Sequence, residues 1–373
     1  MPRLLILCEY PTLLGGERSM LATLPTIAAA GFDIAVAAPA VGSLATTLKE
    51  CGVAHIPWQT HDKSGERLSL DRLRGGLDDV LQRSRPDLLH ANSLSAARIA
   101  GPVADERGVR SLGHLRDIIK MSRQAIYDLT QHTRLVAVSH ATRDYHATQG
   151  LDAAKCVVLH NGVDLGEFQP RTPSGYLHRE LNLPAAVRLI AVIGQLGLRK
   201  GTEIALAAAA RIAESKPDVH WLLVGERTSN KAESLDFEAQ LHASAAESPL
   251  AGRVHFLGGR PGVPQLLNEC MLLVHAARQE PLGRVLLEAA ACGLAVVATD
   301  VGGTREIFPP ESNAGLLVRP DNPEELADAV LALLVDDDRR YAIGAAARRR
   351  AEQAFDIRIA AARLTDLYRS ILE

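Results

Sequence analysis

The stretch Glu280-Pro-Leu-Gly-Arg-Val-Leu-Leu-Glu288 sets two carboxylates around a Pro-x-Gly turn and the start of an apolar helix. Pro281 biases Glu280 towards an extended backbone, which puts that acid at a loop tip. Glu288 falls two helical turns along the run from Leu282 to Cys292. Between the two acids, the backbone N–H groups of Leu282, Gly283, Arg284 and Val285 form a helix N-terminus that lacks intrahelical acceptors and attracts anions. Such a segment suits a ligand that carries both phosphate and hydroxyl groups. Taken alone, the same residues also fit a solvated loop acid and a surface helix acid.

Four further patterns bear on that choice. A strand over Leu189–Ile193 runs into Gly194-Gln195-Leu196-Gly197-Leu198-Arg199-Lys200-Gly201 and then a helix. The glycines permit close backbone approach, and Lys200 would neutralise charge on a departing diphosphate. Gly15-Gly16-Glu17 opens the first helix after the first strand, with Gly16 as a backbone contact, although a bare Gly-Gly also serves as a plain tight turn. His90 and Asn92 end one strand and His114 ends the next, which directs these side chains to one sheet edge. His114 is the stronger candidate, the alternative being a hydrogen-bonded structural histidine. The fourth pattern is Val297-Ala-Thr-Asp-Val-Gly-Gly-Thr-Arg-Glu306, a second strand-to-glycine turn. A related exit at Val254-His-Phe-Leu-Gly-Gly259 leads to Arg260 and Val263, whose backbone groups would read a base edge or simply form a loop.

These residues need a scaffold that brings many strand ends together. Short apolar runs alternate with helical patterns throughout, the mark of parallel sheets wrapped by helices. Strands are expected at 4–8, 33–38, 87–91, 110–113, 133–138 and 157–159, with helices beginning near Glu17, Ser43, Ser69, Ser93, Asp117 and His140. A segment rich in glycine and proline from Asn161 to Pro184 reads as a linker. Strands then resume at 189–194, 219–225, 254–257, 271–275, 295–298 and 315–318, and a helical tail follows with Asp321 or Asn322 capping Pro323.

With 373 residues, two cores are the default. Hydrophobic content of 47%, charged content of 23% and a net charge of −3 describe a globular protein without a nucleic-acid signature. Five scattered cysteines with no Cys-x-x-Cys pair argue against a disulfide framework and a zinc site, and favour a reducing compartment. The first apolar run, Arg3 to Cys8, is too short for a signal core or a membrane span. Arg116, Lys120 and Arg123 among Ile118, Ile119, Met121 and Ile126 outline an amphipathic helix that would meet anionic lipid or cover its own core. Arg339, Arg340 and Arg348 to Arg350 read as a solvated helix face.

The glutamate segment continued to Gly293, together with Val297 to Gly303, Gly194 to Gly201, His160-Asn-Gly-Val-Asp164 and Gly15-Gly16, resembles the retaining glycosyltransferases of family 4 over nearly the whole chain. The resemblance implies an α/β protein of GT-B fold, two Rossmann-like parallel-sheet domains facing across a deep cleft. The expected division is an acceptor-binding domain over 1–165, a linker over 166–185, a nucleotide-sugar-binding domain over 186–352, and a C-terminal helix over 353–373 packing back towards the first domain. It further implies that Glu288 holds the ribose, Lys200 the diphosphate, Glu280 and the amides after it the donor sugar, and His114 the sugar from the other domain. Glu280, His114 and Lys200 are thereby the catalytic candidates. Gly16, Gln195, Arg199, Lys200, Arg260, Val263, Leu282, Gly283, Arg284, Val285 and Glu288 are the donor-binding set.

One position departs from the family. Gln195 stands where an arginine is usual, and it donates a hydrogen bond without charge. Arg199 or Arg284 is expected to supply the missing cation. No Asp-x-Asp lies in a loop after a strand, Asp336-Asp-Asp338 falling between two helical segments, so neither a metal nor another cofactor is called for. The expectation is a cytosolic enzyme, with the inner face of the membrane as the second location, that transfers a sugar from a UDP- or GDP-linked donor to a glycan, lipid-linked or small-molecule acceptor. The rivals are a sugar-nucleotide epimerase or hydrolase on the same fold, and a catalytically weak binding subunit.

Overall fold

Apolar runs of three to six residues become parallel strands in the computed structural model, which describes all 373 residues. The chain divides into two units, Met1–Gly162 with Ile357–Glu373, and Val163–Asp356.

The first unit carries strands β1 (Arg3–Leu7), β2 (Asp33–Ala38), β3 (Ala54–Pro57), β4 (Leu88–Ala91), β5 (Arg110–Leu115), β6 (Arg134–Ala137) and β7 (Cys156–Val158). Its helices are α1 (Gly15–Ala29), α2 (Ser43–Glu50), α3 (Leu70–Ser84), α4 (Leu94–Glu106), α5 (Arg123–Thr130) and α6 (His140–Ala147). The sheet is parallel throughout in the order β3-β2-β1-β4-β5-β6-β7. Strand alternation distributes the core: Leu4, Ile6 and Cys8 pack on one face with Met20, Ile27 and Tyr368, and Leu5 and Leu7 on the other with Leu73, Leu77 and Ala97. Serine sets several helix starts, since Ser69, Ser93, Ser122 and Ser139 each accept a hydrogen bond from an amide three residues on.

The second unit carries α7 (Tyr176–Glu180), β8 (Arg188–Ile193), α8 (Thr202–Ala213), β9 (Val219–Val224), α9 (Ala232–Ala246), β10 (Val254–Gly258), α10 (Val263–Glu269), β11 (Leu272–His275), α11 (Arg284–Ala291), β12 (Ala295–Thr299), α12 (Thr304–Ile307), β13 (Leu316–Val318), α13 (Pro323–Val335) and α14 (Asp337–Ala354). Its sheet runs β10-β9-β8-β11-β12-β13. The glycine- and proline-rich segment after Gly162 belongs to this unit, where Glu269 accepts from the amides of Ser174 and Gly175. The last helix, α15 (Ile357–Leu372), belongs to the first unit and packs on α1. Asn322 caps α13 by accepting from the Glu325 amide.

In each sheet the strand order reverses once, between β1 and β4 and between β8 and β11. At such a point the loops leaving the two strands diverge and open a crevice at their C-terminal ends.

Three expectations are corrected. No helix begins at Asp117: β5 extends to Leu115, residues 116–122 are irregular, and α5 starts only at Arg123 behind its Ser122 cap. Arg116, Lys120, Ile118, Ile119 and Met121 therefore do not share a helix with Arg123 and Ile126, and the lipid-facing stripe dissolves. Nor are the tail arginines a solvated face. Arg340 is buried and donates to the Leu333 carbonyl, Arg348 to the carbonyls of Phe168 and Ala291, and Arg350 to those of Glu306 and Ile307, which leaves Arg339 and Arg349 exposed. Finally, β3 was absent from the expected strands because its four residues, Ala-His-Ile-Pro, form a half-exposed edge that ends in proline. No helix is long and apolar enough to cross a membrane.

Tyr368 ties α15 to the sheet, its hydroxyl 2.6 Å from His90 Nδ1 with both residues buried. Tyr368→Phe leaves that imidazole nitrogen without its partner, so the first unit should lose about 1–3 kcal/mol in a denaturant melt. A melt identical to that of the unsubstituted protein would show that the contact does not secure α15.

Candidate functional site

At the reversal point of the second sheet, the loops leaving β8 and β11 meet. The β8 loop turns at Gly194, is held by the Leu196 amide donating to the Glu226 carbonyl, and ends in a single turn over Leu198–Lys200 before α8. Gly201 closes it with φ 60°, and a Cβ there would stand 2.0 Å from the Ala276 carbonyl oxygen. Glycine is thus what lets the loop press against β11. Lys200 Nζ consequently reaches Glu280 Oε2 at 2.5 Å, joining residues 80 apart in sequence.

Glu280 is buried, and the same Oε2 accepts from His275 Nε2 at 2.8 Å. Burial alone would raise its carboxyl, but the Lys200 charge and the His275 hydrogen bond outweigh it and hold the group well below the usual carboxylate range. His275 is pushed down by burial and by Lys200 against the pull of Glu280, so it is a neutral donor at pH 7. The Glu280 backbone is fixed as well, its carbonyl accepting from the Gly303 amide at 2.9 Å. That contact brings the second glycine turn, Val301 to Thr304, under the site.

Beyond Glu280 the chain passes through buried Leu282 to Gly283, which has φ 98° and serves as N-cap of α11. The helix starts at Arg284, so Glu288 lies one turn into it, not two as the run from Leu282 suggested. The left-handed backbone at Gly283 is the reason, since it delays the first helical residue. Arg284 Nε donates to Glu288 Oε1 at 2.5 Å, orienting that buried carboxylate. The amides of Arg284 and Val285 precede any intrahelical acceptor and are available to a ligand.

Gln195 lines a small recess with Gly194, Lys200, Thr202 and His275. Arg199 is exposed and donates to the Gln279 carbonyl at 3.3 Å, with no carboxylate opposite it. Of the two arginines expected to replace a cation at position 195, Arg284 is already neutralised by Glu288 and Arg199 is not. At the β10 exit Arg260 is drawn aside by Glu180 at 2.8 Å, while Val263 is the first residue of α10.

In the first unit, His114 does not sit at a strand tip. It lies inside β5, pairs in register with Val136, and shares a sheet face with Leu112, so its ring turns towards His90, with Nδ1 3.2 Å from His90 Nε2. Burial keeps both imidazoles neutral, His90 down to about 3. The residue leaving the strand is Arg116, which donates to the Asn92 carbonyl at 2.8 Å and to the side-chain oxygens of Asn92 and Asn161, each at 2.9 Å. Burial lowers its pKa to about 10 against the field of Glu17, so it remains a cation at neutral pH. Gly16 lies beside it, its carbonyl accepting from Asn92 Nδ2 at 3.2 Å, and a Cβ there would stand 3.2 Å from Arg116 Cδ. Arg116 and His275 escaped the sequence reading: the first was assigned to a helix that does not form, and the second ends an apolar run as an ordinary core histidine would.

Glu280 carries the most direct test of this geometry. A carboxyl depressed by folding stabilises the protein above its ordinary pKa of about 4.3, and that contribution is lost as pH falls from there towards the folded value. Glu280→Gln should therefore melt earlier than the unsubstituted protein at pH 7, by on the order of 3 kcal/mol. The gap should narrow as pH drops below about 4.3; a gap independent of pH would mean that Glu280 holds no linked charge.

Residues 176–350 match the family model described as Glycosyl transferases group 1, and residues 14–167 the one described as Glycosyltransferase Family 4. The chain is 28% identical to the lipopolysaccharide core biosynthesis mannosyltransferase LpsB of Rhizobium meliloti (strain 1021), over 69% of this chain and 75% of that one. It is 32% identical to a D-inositol 3-phosphate glycosyltransferase of Corynebacterium urealyticum, over 60% of this chain and 53% of that one. The matched region thus spans about half to three quarters of these relatives' own length. Among solved structures, Anabaena HepE in complex with UDP and glucose has a TM-score of 0.86 at 25% identity, covering 98% of this chain and 99% of that one. Sucrose-phosphate synthase from Thermosynechococcus elongatus has a TM-score of 0.81 at 21% identity, covering 100% and 99%.

Proposed function

The chain belongs to the GT-B glycosyltransferases, and on that premise we propose that it transfers a sugar from a nucleoside-diphosphate donor to a hydroxyl-bearing acceptor with retention of anomeric configuration. The observation that carries the proposal is the buried Lys200–Glu280–His275 cluster, set beside the free amides of Arg284 and Val285. Uridine is the base to test first, because the HepE structure holds UDP and glucose.

In this reading the diphosphate draws Lys200 away from Glu280 and adds the helix amides as donors. Glu280 then exchanges an ammonium partner for sugar hydroxyls while His275 keeps it in place. Glu280 acts in this scheme as a hydrogen-bond acceptor for the sugar, because the departing phosphate and not the carboxylate takes the acceptor's proton. The bond from the anomeric carbon to the diphosphate oxygen breaks with its electron pair leaving on that oxygen. The acceptor oxygen bonds to the same face of the carbon, and its proton passes to the departing phosphate. Lys200, the amides and Arg199 stabilise the charge that develops there, so the chemistry asks for no metal. Glu288, oriented by Arg284, takes the ribose. His114, which lines a recess with Asn92, Arg116 and Asn161 and whose Nε2 is buried without a hydrogen-bond partner, keeps in this proposal the role of meeting the sugar. A cytosolic location is part of the proposal, in keeping with five cysteines that are all free thiols.

The acceptor belongs to the same proposal, as a glycan, a lipid-linked glycan or a small polyol. UDP release from UDP-glucose that depends on an added acceptor supports transfer, whereas release or epimerisation with donor alone supports a hydrolase or epimerase. Calorimetric titration with UDP should show a weakening of about 10–100-fold for Lys200→Ala and about tenfold for Arg199→Ala, each the loss of a charged contact. Arg199→Ala binding UDP as tightly as the unsubstituted protein would remove Arg199 as the replacement for the cation missing at Gln195.

A further inference from the structure

His90, in β4, stands between two partners that the chain supplies from far apart. The hydroxyl of Tyr368, from α15, lies 2.6 Å from His90 Nδ1, and His114 Nδ1, from β5, lies 3.2 Å from His90 Nε2. All three side chains are buried. Burial pushes the Tyr368 phenol up, so it keeps its hydrogen, and His90 Nδ1 is the one acceptor that this hydrogen meets. The hydroxyl therefore donates. The reverse order, with His90 donating from Nδ1, would leave the phenol hydrogen in the core without an acceptor. A neutral imidazole carries a single hydrogen, and burial keeps both rings neutral. The hydrogen of His90 is thus on Nε2, where it is donated to His114 Nδ1, and the hydrogen of His114 is on Nε2 in its turn. That nitrogen has no hydrogen-bond partner, in a ring that lines the recess with Asn92, Arg116 and Asn161.

We propose that Tyr368 and His90 are positioning residues for His114: the order of their hydrogens, set by the phenol of α15, locks His114 as an Nε2–H donor to an oxygen of the donor sugar. The inference rests on the transfer reaction proposed above, in which His114 meets the sugar, and it decides what that role leaves open, whether the ring donates or accepts. An unlocked imidazole divides between two tautomers, and only one of them offers a hydrogen at Nε2. Fixing the order before the ligand arrives removes that division and its cost to binding. A ring that already carries its hydrogen on Nε2 also takes no proton there, so His114 does not compete with the departing phosphate for the acceptor's proton. The last helix of the chain thereby has a part in the chemistry as well as in the packing of the first unit.

The test reads the tautomer directly, by long-range proton–nitrogen NMR on the full chain labelled with 15N in its histidine rings, the His114 signals being those lost in His114→Gln. The unsubstituted protein should show a pyrrole-type Nε2 and a pyridine-type Nδ1 for His114. Tyr368→Phe and His90→Leu each remove one link, and in both the Nε2 signal should move towards the pyridine type. Calorimetry on the same variants should show UDP-glucose bound about fivefold more weakly and UDP bound as before, the loss of one neutral hydrogen bond to the sugar. His90→Gln, whose amide accepts at one end and donates at the other, should restore both readings. Melting curves establish that each variant is folded. A pyridine-type Nε2 in the unsubstituted protein, or a His114 tautomer unchanged in both folded variants, would overturn the lock. A shifted tautomer with unchanged UDP-glucose affinity would overturn the positioning role and leave the network to stability alone. UDP that fails to bind the unsubstituted protein refutes the donor reading instead, a result separate from the tautomer that NMR records.

Discussion

The contact between Lys200 and Glu280 joins two loops that the chain makes 80 residues apart, and most of the second unit's architecture serves to bring them together. Both charges lose water, with side-chain exposures of 17% and 7%, and such a desolvated pair repays that loss only with close geometry and further hydrogen bonds. His275 supplies one, from the last residue of β11. Gly201 supplies the approach, because any Cβ would collide with the strand that carries Glu280's neighbours. The strand order supplies the place, since only where β8 and β11 adjoin do both loops leave the sheet side by side.

At the reversal point of this sheet, Lys200 faces Glu280 and Arg284 faces Glu288 at hydrogen-bonding distance. A site arranged in this way is close to neutral before a ligand enters, which lowers the cost of holding charged groups in a half-buried crevice. In the proposed reaction, an incoming diphosphate competes with internal acids for the same donors. Arg199 lacks an acid opposite and carries its charge outward, where it meets an anion early and is screened by salt. Gln195, in the recess behind Lys200, then needs only to donate a neutral hydrogen bond.

The alternation of apolar runs and helical segments made both parallel sheets legible, because period and length alone separate a buried strand of five residues from a helix of twelve. The turns that carry Glu280, Glu288 and Lys200 were legible as well, since a Pro-x-Gly turn and a glycine loop constrain the backbone locally. What local pattern could not convey was where a strand stops. Two extra residues on β5 move His114 from the edge into the interior and hand the exit to Arg116. The same two residues remove the helix that would have carried a basic stripe. The arginines of α14 show a related limit, for whether a long cationic side chain meets water or the carbonyl ends of neighbouring helices depends on tertiary packing. His275 resembled any core histidine until the loop after β11 placed a carboxylate, and the β8 loop an ammonium, at the site.

A crystal structure with UDP-glucose bound would decide whether the buried ion pair is the donor's grip. The diphosphate should lie between Lys200 and the amides of Arg284 and Val285, with Glu288 on the ribose, and Glu280 Oε2 should have exchanged Lys200 for a sugar hydroxyl while His275 stays within hydrogen-bond distance. A donor seated away from these groups, with Lys200 still on Glu280, would contradict the arrangement from which the mechanism is built.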